Sequence, residues 1–138
     1  MALKKLTGSN EQLDAILKSL NYWSKKVDEN IQTHQEGGVT ITQASLSCNH
    51  SDFRKISDLL SDLAFIEKST MESHELKLAL EYLIQEEKLI KFDQCYTHNE
   101  IEGYRILYKG RVFIENGGFQ EKFRKEKVLI DFFSELYN

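Results

Sequence analysis

The 138-residue sequence contains no proline, and that absence already constrains the chain. Average usage of about 5% would give roughly seven prolines in a chain of this length. Without them there is no polyproline segment, no stiff linker and no helix broken from within. Cysteine is scarce as well. Cys48 and Cys95 alone cannot build the disulfide framework of a small secreted domain, so a reducing, cytoplasmic location is the expectation. No run of about 18 apolar residues exists, so no membrane span is expected. The opening Met1-Ala2-Leu3-Lys4-Lys5-Leu6 also lacks the apolar stretch of a signal peptide. Basic charge is outnumbered: 18 Lys and Arg stand against 22 Asp and Glu, for a net charge of -4. That balance argues against a protein that coats nucleic acid indiscriminately, while leaving room for a locally basic surface.

What the chain does have is apolar material in regular patterns. Its 41% hydrophobic and 11% aromatic shares exceed those of a disordered chain, and its length suits one domain with its own core. Leu13, Ile16, Leu17, Leu20, Trp23, Val27 and Ile31 recur at spacings of three, four and seven, which predicts a helix over about 10–34. Ser9 and Gln12 offer a capping box, and Gly37-Gly38 ends the helix. Val39-Thr40-Ile41-Thr42 reads as a short strand. A second helix, capped by Ser51 or Asp52, turns Phe53, Ile56, Leu59, Leu60 and Leu63 inward. After a polar break from Glu67 to Ser73, a third helix carries Leu76, Ala79, Leu80, Leu83 and Ile84. Its cap is Ser73 or Thr70.

The period then changes. Leu89 to Tyr96 and Tyr104 to Tyr108 read as two strands joined by the polar loop His98 to Gly103, a β-hairpin. A short helix over 111–115 stops at Asn116-Gly117-Gly118. An amphipathic helix over about 119–137 closes the chain. The order is α+β and mainly helical.

Chemistry-bearing motifs are few. Neither Gly-Gly pair is followed by the lysine and hydroxyl residue of a phosphate loop, and no nucleophile elbow or zincin motif occurs. Cys48 and His50, with Cys95 and His98, are the only pairs at metal-ligand spacing, and the C-x-H spacing of the first pair is tighter than zinc modules use. No enzyme activity, cofactor or metal is expected.

Two strings carry a resemblance. Leu76-Lys77-Leu78-Ala79-Leu80-Glu81-Tyr82-Leu83-Ile84-Gln85-Glu86-Glu87-Lys88-Leu89-Ile90 is similar to the third helix of winged helix-turn-helix domains and the lead into their wing. Tyr104-Arg105-Ile106-Leu107-Tyr108-Lys109-Gly110-Arg111 is similar to the end of the wing in bacterial regulators, with Leu107 where threonine is usual. The resemblance covers about residues 10–115. It implies a single winged-helix domain over 1–138, with its core at about 10–115, a long N-terminal helix and an added C-terminal helix.

By the same resemblance the helix Ser73 to Lys88 enters the major groove and the wing Gln94 to Arg105 touches the backbone or the minor groove. Ser73, His74, Lys77, Arg105, Lys109 and Arg111 are then the candidate DNA contacts of a small transcriptional regulator. Charge opposes this in part. Between Ser69 and Glu102 three lysines face eight carboxylates, and carboxylates near a groove are repelled by phosphates. The alternative is a winged-helix adaptor that binds protein and no nucleic acid. The remaining basic residues gather after the wing, where Lys122, Arg124, Lys125 and Lys127 are joined by Lys109 and Arg111. A homodimer is expected through the flanking helices, at Leu13, Leu17, Leu20, Trp23 and Val27 and at Phe132, Phe133, Leu136 and Tyr137. The alternative is that these two helices pack on each other within one chain.

Overall fold

The computed structural model describes residues 3–36, 52–95 and 101–136. The chain starts with a two-residue strand, β1 (Lys4–Lys5), followed by the long helix α1 (Ser9–Glu36). Helix α2 (Ile56–Ile66), strand β2 (Ser69–Thr70) and helix α3 (Ser73–Gln85) come next. The hairpin β3 (Ile90–Cys95) and β4 (Ile101–Ile106) leads into α4 (Tyr108–Glu115) and α5 (Gly118–Leu136). The architecture is α+β and mainly helical.

Helix α1 is the spine. Its 28 residues span about 42 Å, and it touches α2, α3, α4, α5 and β4. The apolar stripe read from the sequence explains this reach: Leu13, Ile16, Leu17 and Leu20 are buried. They meet Leu59 and Leu63 of α2, Leu76, Leu80 and Leu83 of α3, Ile114 of α4 and Phe119 of α5 in one core. Each such side chain contributes about 1.5–3 kcal/mol on leaving water. Leu13, Leu17 and Leu20 therefore belong to the interior of one chain. Their expected place in a dimer contact is corrected by the helices that already cover them.

Two small sheets fix the connections. Strand β1 pairs in parallel with β2, with Lys4 opposite Ser69 and Lys5 opposite Thr70, so the polar break at 67–73 is held down rather than loose. The hairpin pairs antiparallel from Ile90–Ile106 out to Cys95–Ile101. Strand β4 thus begins inside the expected loop at 98–103, and Tyr108 opens α4 rather than ending a strand. Leu107 N–H donates to the Leu89 carbonyl at 2.9 Å and closes the base.

A third extended segment docks on this hairpin. Arg54 bridges Tyr104 antiparallel, its N–H donating at 3.0 Å and its carbonyl accepting at 2.8 Å. This segment lies where the sequence predicted the start of a helix. Helix α2 instead begins after Lys55, whose N–H donates to the Asp58 carboxylate at 3.1 Å, and Asp52 is not its cap. Gly103 permits the close approach: a Cβ there would lie 2.7 Å from Arg54 N. Helix α3 takes Glu72 as N-cap, with no side-chain cap bond. The strand expected at 39–42 and the turn at Gly37-Gly38 lie outside the described residues.

The departure of α5 from the body is set by one buried carboxylate. Asp14 on α1 is 2% exposed, and it accepts from Phe119 N–H at 2.7 Å and Gln120 N–H at 3.0 Å. It is an N-cap supplied from another helix, satisfying two orphan donors with a charge suited to the helix dipole. Gly118 makes room at φ +66°; a Cβ there would sit 2.3 Å from Asp14 Oδ1. Replacing Asp14 with Ala should lower stability by about 2–3 kcal/mol in thermal or denaturant unfolding. Lys18→Ala, on the same helix but exposed, should stay within about 0.5 kcal/mol.

Candidate functional site

Three surfaces carry the residues singled out in the sequence. The first is the outer face of α3, where Ser73, His74 and Lys77 are exposed on its opening turns. They share that face with Glu81, Gln85 and Glu86, all exposed. Leu78 is 64% exposed and Tyr82 41% exposed, and the Tyr82 hydroxyl donates to Glu87 at 2.8 Å. That bond pushes the Tyr82 phenol above its ordinary pKa. Beside this face lies an open groove of about 480 Å³, floored by Leu13, Ala79 and Phe119 and rimmed by Asn10, Glu75, Leu78 and Tyr82. Gln12 spans one side of it, donating to the Leu6 carbonyl at 2.8 Å and to Glu75 at 2.9 Å.

The second surface is the side of the hairpin that carries Arg105. The alternation of the strand sends Arg105 and Lys91 to one face, and Phe92 and Tyr104 to the other. Phe92 and Tyr104 meet edge to face at 5.2 Å between ring centres. Arg105 is not held out to solvent. Its guanidinium pairs with Asp52 at 2.7 Å and with Asp93 at 3.3 Å, and lies 4.9 Å above the Phe53 ring. Lys91 reaches Asp93 at 3.1 Å. Burial pushes the Asp52 carboxyl above the ordinary carboxylate value, with the Arg105 charge opposing it. Burial also works on Asp93, but the Gln94 N–H, Lys91 and Arg105 outweigh it and hold that carboxyl below its ordinary value.

Arg54, which the sequence did not single out, makes a matching arrangement. Two bonds of 2.8 Å join it to buried Asp62, and its guanidinium lies 4.2 Å over the Trp23 ring. Arg111 pairs with Asp28 of α1 at 2.8 Å, and Lys109 donates to the Glu87 carbonyl at 3.4 Å. The six candidate DNA contacts are therefore split. Ser73, His74 and Lys77 share the start of α3, whereas Arg105 and Arg111 are bound to carboxylates of their own chain. A guanidinium bound to a carboxylate of its own chain is poorly placed to neutralise a phosphate as well.

The third surface is α5. Beyond Phe119 its side chains lie exposed, with only Glu121 partly covered. Phe123, Val128, Leu129, Ile130, Phe132, Phe133 and Leu136 are each 52–66% exposed. Phe132, Phe133 and Leu136 were expected in a dimer contact; Tyr137 lies outside the described residues, as do Cys48, His50 and His98. Trp23 and Val27 are half-buried.

Among the described residues no three His, Cys, Asp or Glu side chains gather to hold a metal. No helix among them is long and apolar enough to cross a membrane. No protein-family model, no curated protein and no solved structure matches the chain.

The paired charges around Arg105 have a measurable signature. In an Arg105→Leu variant both carboxylates lose a cation that favours their charged form, so Asp52 and Asp93 should titrate at higher pH by carboxyl NMR. A raised folded-state pKa contributes stability that is lost as pH rises through it. The variant should therefore lose stability, relative to the parent, as pH climbs through and just above the ordinary carboxylate range.

Proposed function

We propose that the chain is a winged-helix module whose task is to bind protein, with no catalytic activity of its own. The winged-helix reading is supported by element order: a long helix, the extended Arg54 segment bridged to β4, helices α2 and α3, then the β3–β4 hairpin. Fold alone does not assign function, so the surface decides between partners.

The observation that carries the protein reading is the internal neutralisation of Arg105 and Arg111. A groove-reading domain keeps such residues for phosphates. Here the fold spends them on Asp52, Asp93 and Asp28, while the α3 face offers Leu78 and Tyr82 above an apolar groove rimmed by Glu75. An apolar floor with the Glu75 carboxylate on its rim suits a segment with one apolar face and a basic residue beside it, laid along the groove as a helix. A second reading, a small DNA-binding regulator, is favoured by Ser73, His74 and Lys77 standing exposed at the start of α3.

Titration with random-sequence duplex DNA at low and at physiological salt separates the two. No association at either salt is expected. Salt-dependent binding that weakens in Lys77→Ala, with the salt slope reduced by about one, would reverse the order of the readings. A model amphipathic helix of leucine and lysine should shift the amide signals of Leu78 and Tyr82, and Leu78→Asp should abolish that shift while leaving thermal unfolding unchanged.

A further inference from the structure

Phe119 belongs to two structures at once. Its side chain helps floor the α3 groove with Leu13 and Ala79, its ring 6.5 Å from that of Tyr82 and 4.7 Å from that of Phe113. Its amide donates to Asp14 at 2.7 Å, beside that of Gln120 at 3.0 Å. Leu13 and Asp14 are neighbours on α1, so one stretch of that helix supplies both part of the groove and the clamp on α5.

Little else ties α5 down. Among the described residues, every side chain of α5 after Phe119 is exposed except that of Glu121, which is half-buried. Glu121 pairs with Arg124 of the same helix. The chain enters α5 through Gly117 and Gly118 at φ +107° and +66°, a conformation that glycine adopts without steric penalty. The entry is therefore a ready pivot, and release of the first turn breaks the two Asp14 bonds and the packing of Phe119.

Release would also take apart the groove. With Phe119 withdrawn, the floor loses its aromatic member, and an occupant loses the apolar surface beneath it. An occupant thus has more apolar contact with the clamped chain than with the released one. Such a difference is what couples a site to a conformation.

We propose that the α3 groove and the first turn of α5 are coupled: a helical segment seated in the groove locks α5 onto Asp14, and loosening that clamp weakens the segment's hold. The proposal rests on the reading of the groove as a docking site for such a segment. It gives the module an output as well as an input, because the clamp sets the direction in which α5 leaves the body.

Hydrogen exchange on the full chain, with the leucine–lysine helix as the probe, tests the coupling. With the peptide at about ten times its dissociation constant, exchange at Phe119 and Gln120 should slow by about tenfold. Gln120 is the telling reporter, since it does not line the groove yet shares the Asp14 carboxylate. The Arg54 amide, bonded to the Tyr104 carbonyl, should slow less than either. By reciprocity, Asp14→Ala should weaken the peptide by about fivefold or more. Absence of peptide-induced shifts at Leu78 and Tyr82 would remove the docking reading and the coupling with it. Shifts there without slowing at Gln120, or with equal slowing at Arg54, would overturn the coupling alone. So would an unchanged affinity in Asp14→Ala. The exchange measurement needs no variant, so it decides the matter even where Asp14→Ala does not fold.

Discussion

The carboxylate of Asp14 is the interaction on which the arrangement turns. A charge that is 2% exposed is tolerable only when its oxygens are satisfied, and here the first amides of α5 satisfy them from 105 and 106 residues away. The bond works in both directions. It gives a buried charge its partners, and it supplies the orphan donors of a helix with no capping side chain of its own before it, because Gly117 and Gly118 stand there. Once α5 is clamped at that point its direction is set, and so is the fact that most of it runs clear of the core. The unsupported apolar half follows from a well-supported first turn.

The same economy governs the arginines. Arg54 and Arg105 lie on the two partners of the docked strand, and each reaches a buried aspartate while covering an aromatic ring. Bonds to charged partners of this kind contribute more than neutral ones, and they hold the Phe53–Lys55 segment against the hairpin. That structural use is also a functional statement. A domain whose hairpin arginine is held by its own aspartates keeps that cation from phosphates, and the eight carboxylates between Ser69 and Glu102 add to the repulsion. What remains on the α3 face is apolar surface with an acidic margin, the property that supports a protein partner in the proposed function.

Much of this was legible in the residues. The stripe of α1, the leucines of α3, the hairpin and the closing helix all announce themselves by period, because a side-chain pattern records which face is buried. The pattern does not record what buries it. Leu13, Leu17 and Leu20 read equally well as core or as contact surface, and only the positions of α2, α3 and α5 decide for core. Lys68 and Lys88 take left-handed conformations at φ 52° and 54° after their helices, positions where glycine would have marked the stops. Arg54 hid inside an expected helix because its bridge to Tyr104 is a long-range hydrogen bond with no local signature. Asp14 sits beside Leu13 like any polar residue of an amphipathic helix. The Gly117-Gly118 pair that receives it reads as a stop for α4, which it also is. Ion pairs and caps between distant segments leave no periodic trace.

Hydrogen exchange of the α5 amides, followed as a function of protein concentration, tests the account most directly. The amides of Phe119 and Gln120 should be protected at every concentration, since Asp14 holds them within one chain. Those of Val128 to Leu136 should exchange rapidly, since no other described part of the chain covers that half. Protection of the distal half that is already complete in dilute protein, or free exchange at Phe119 and Gln120, would contradict it.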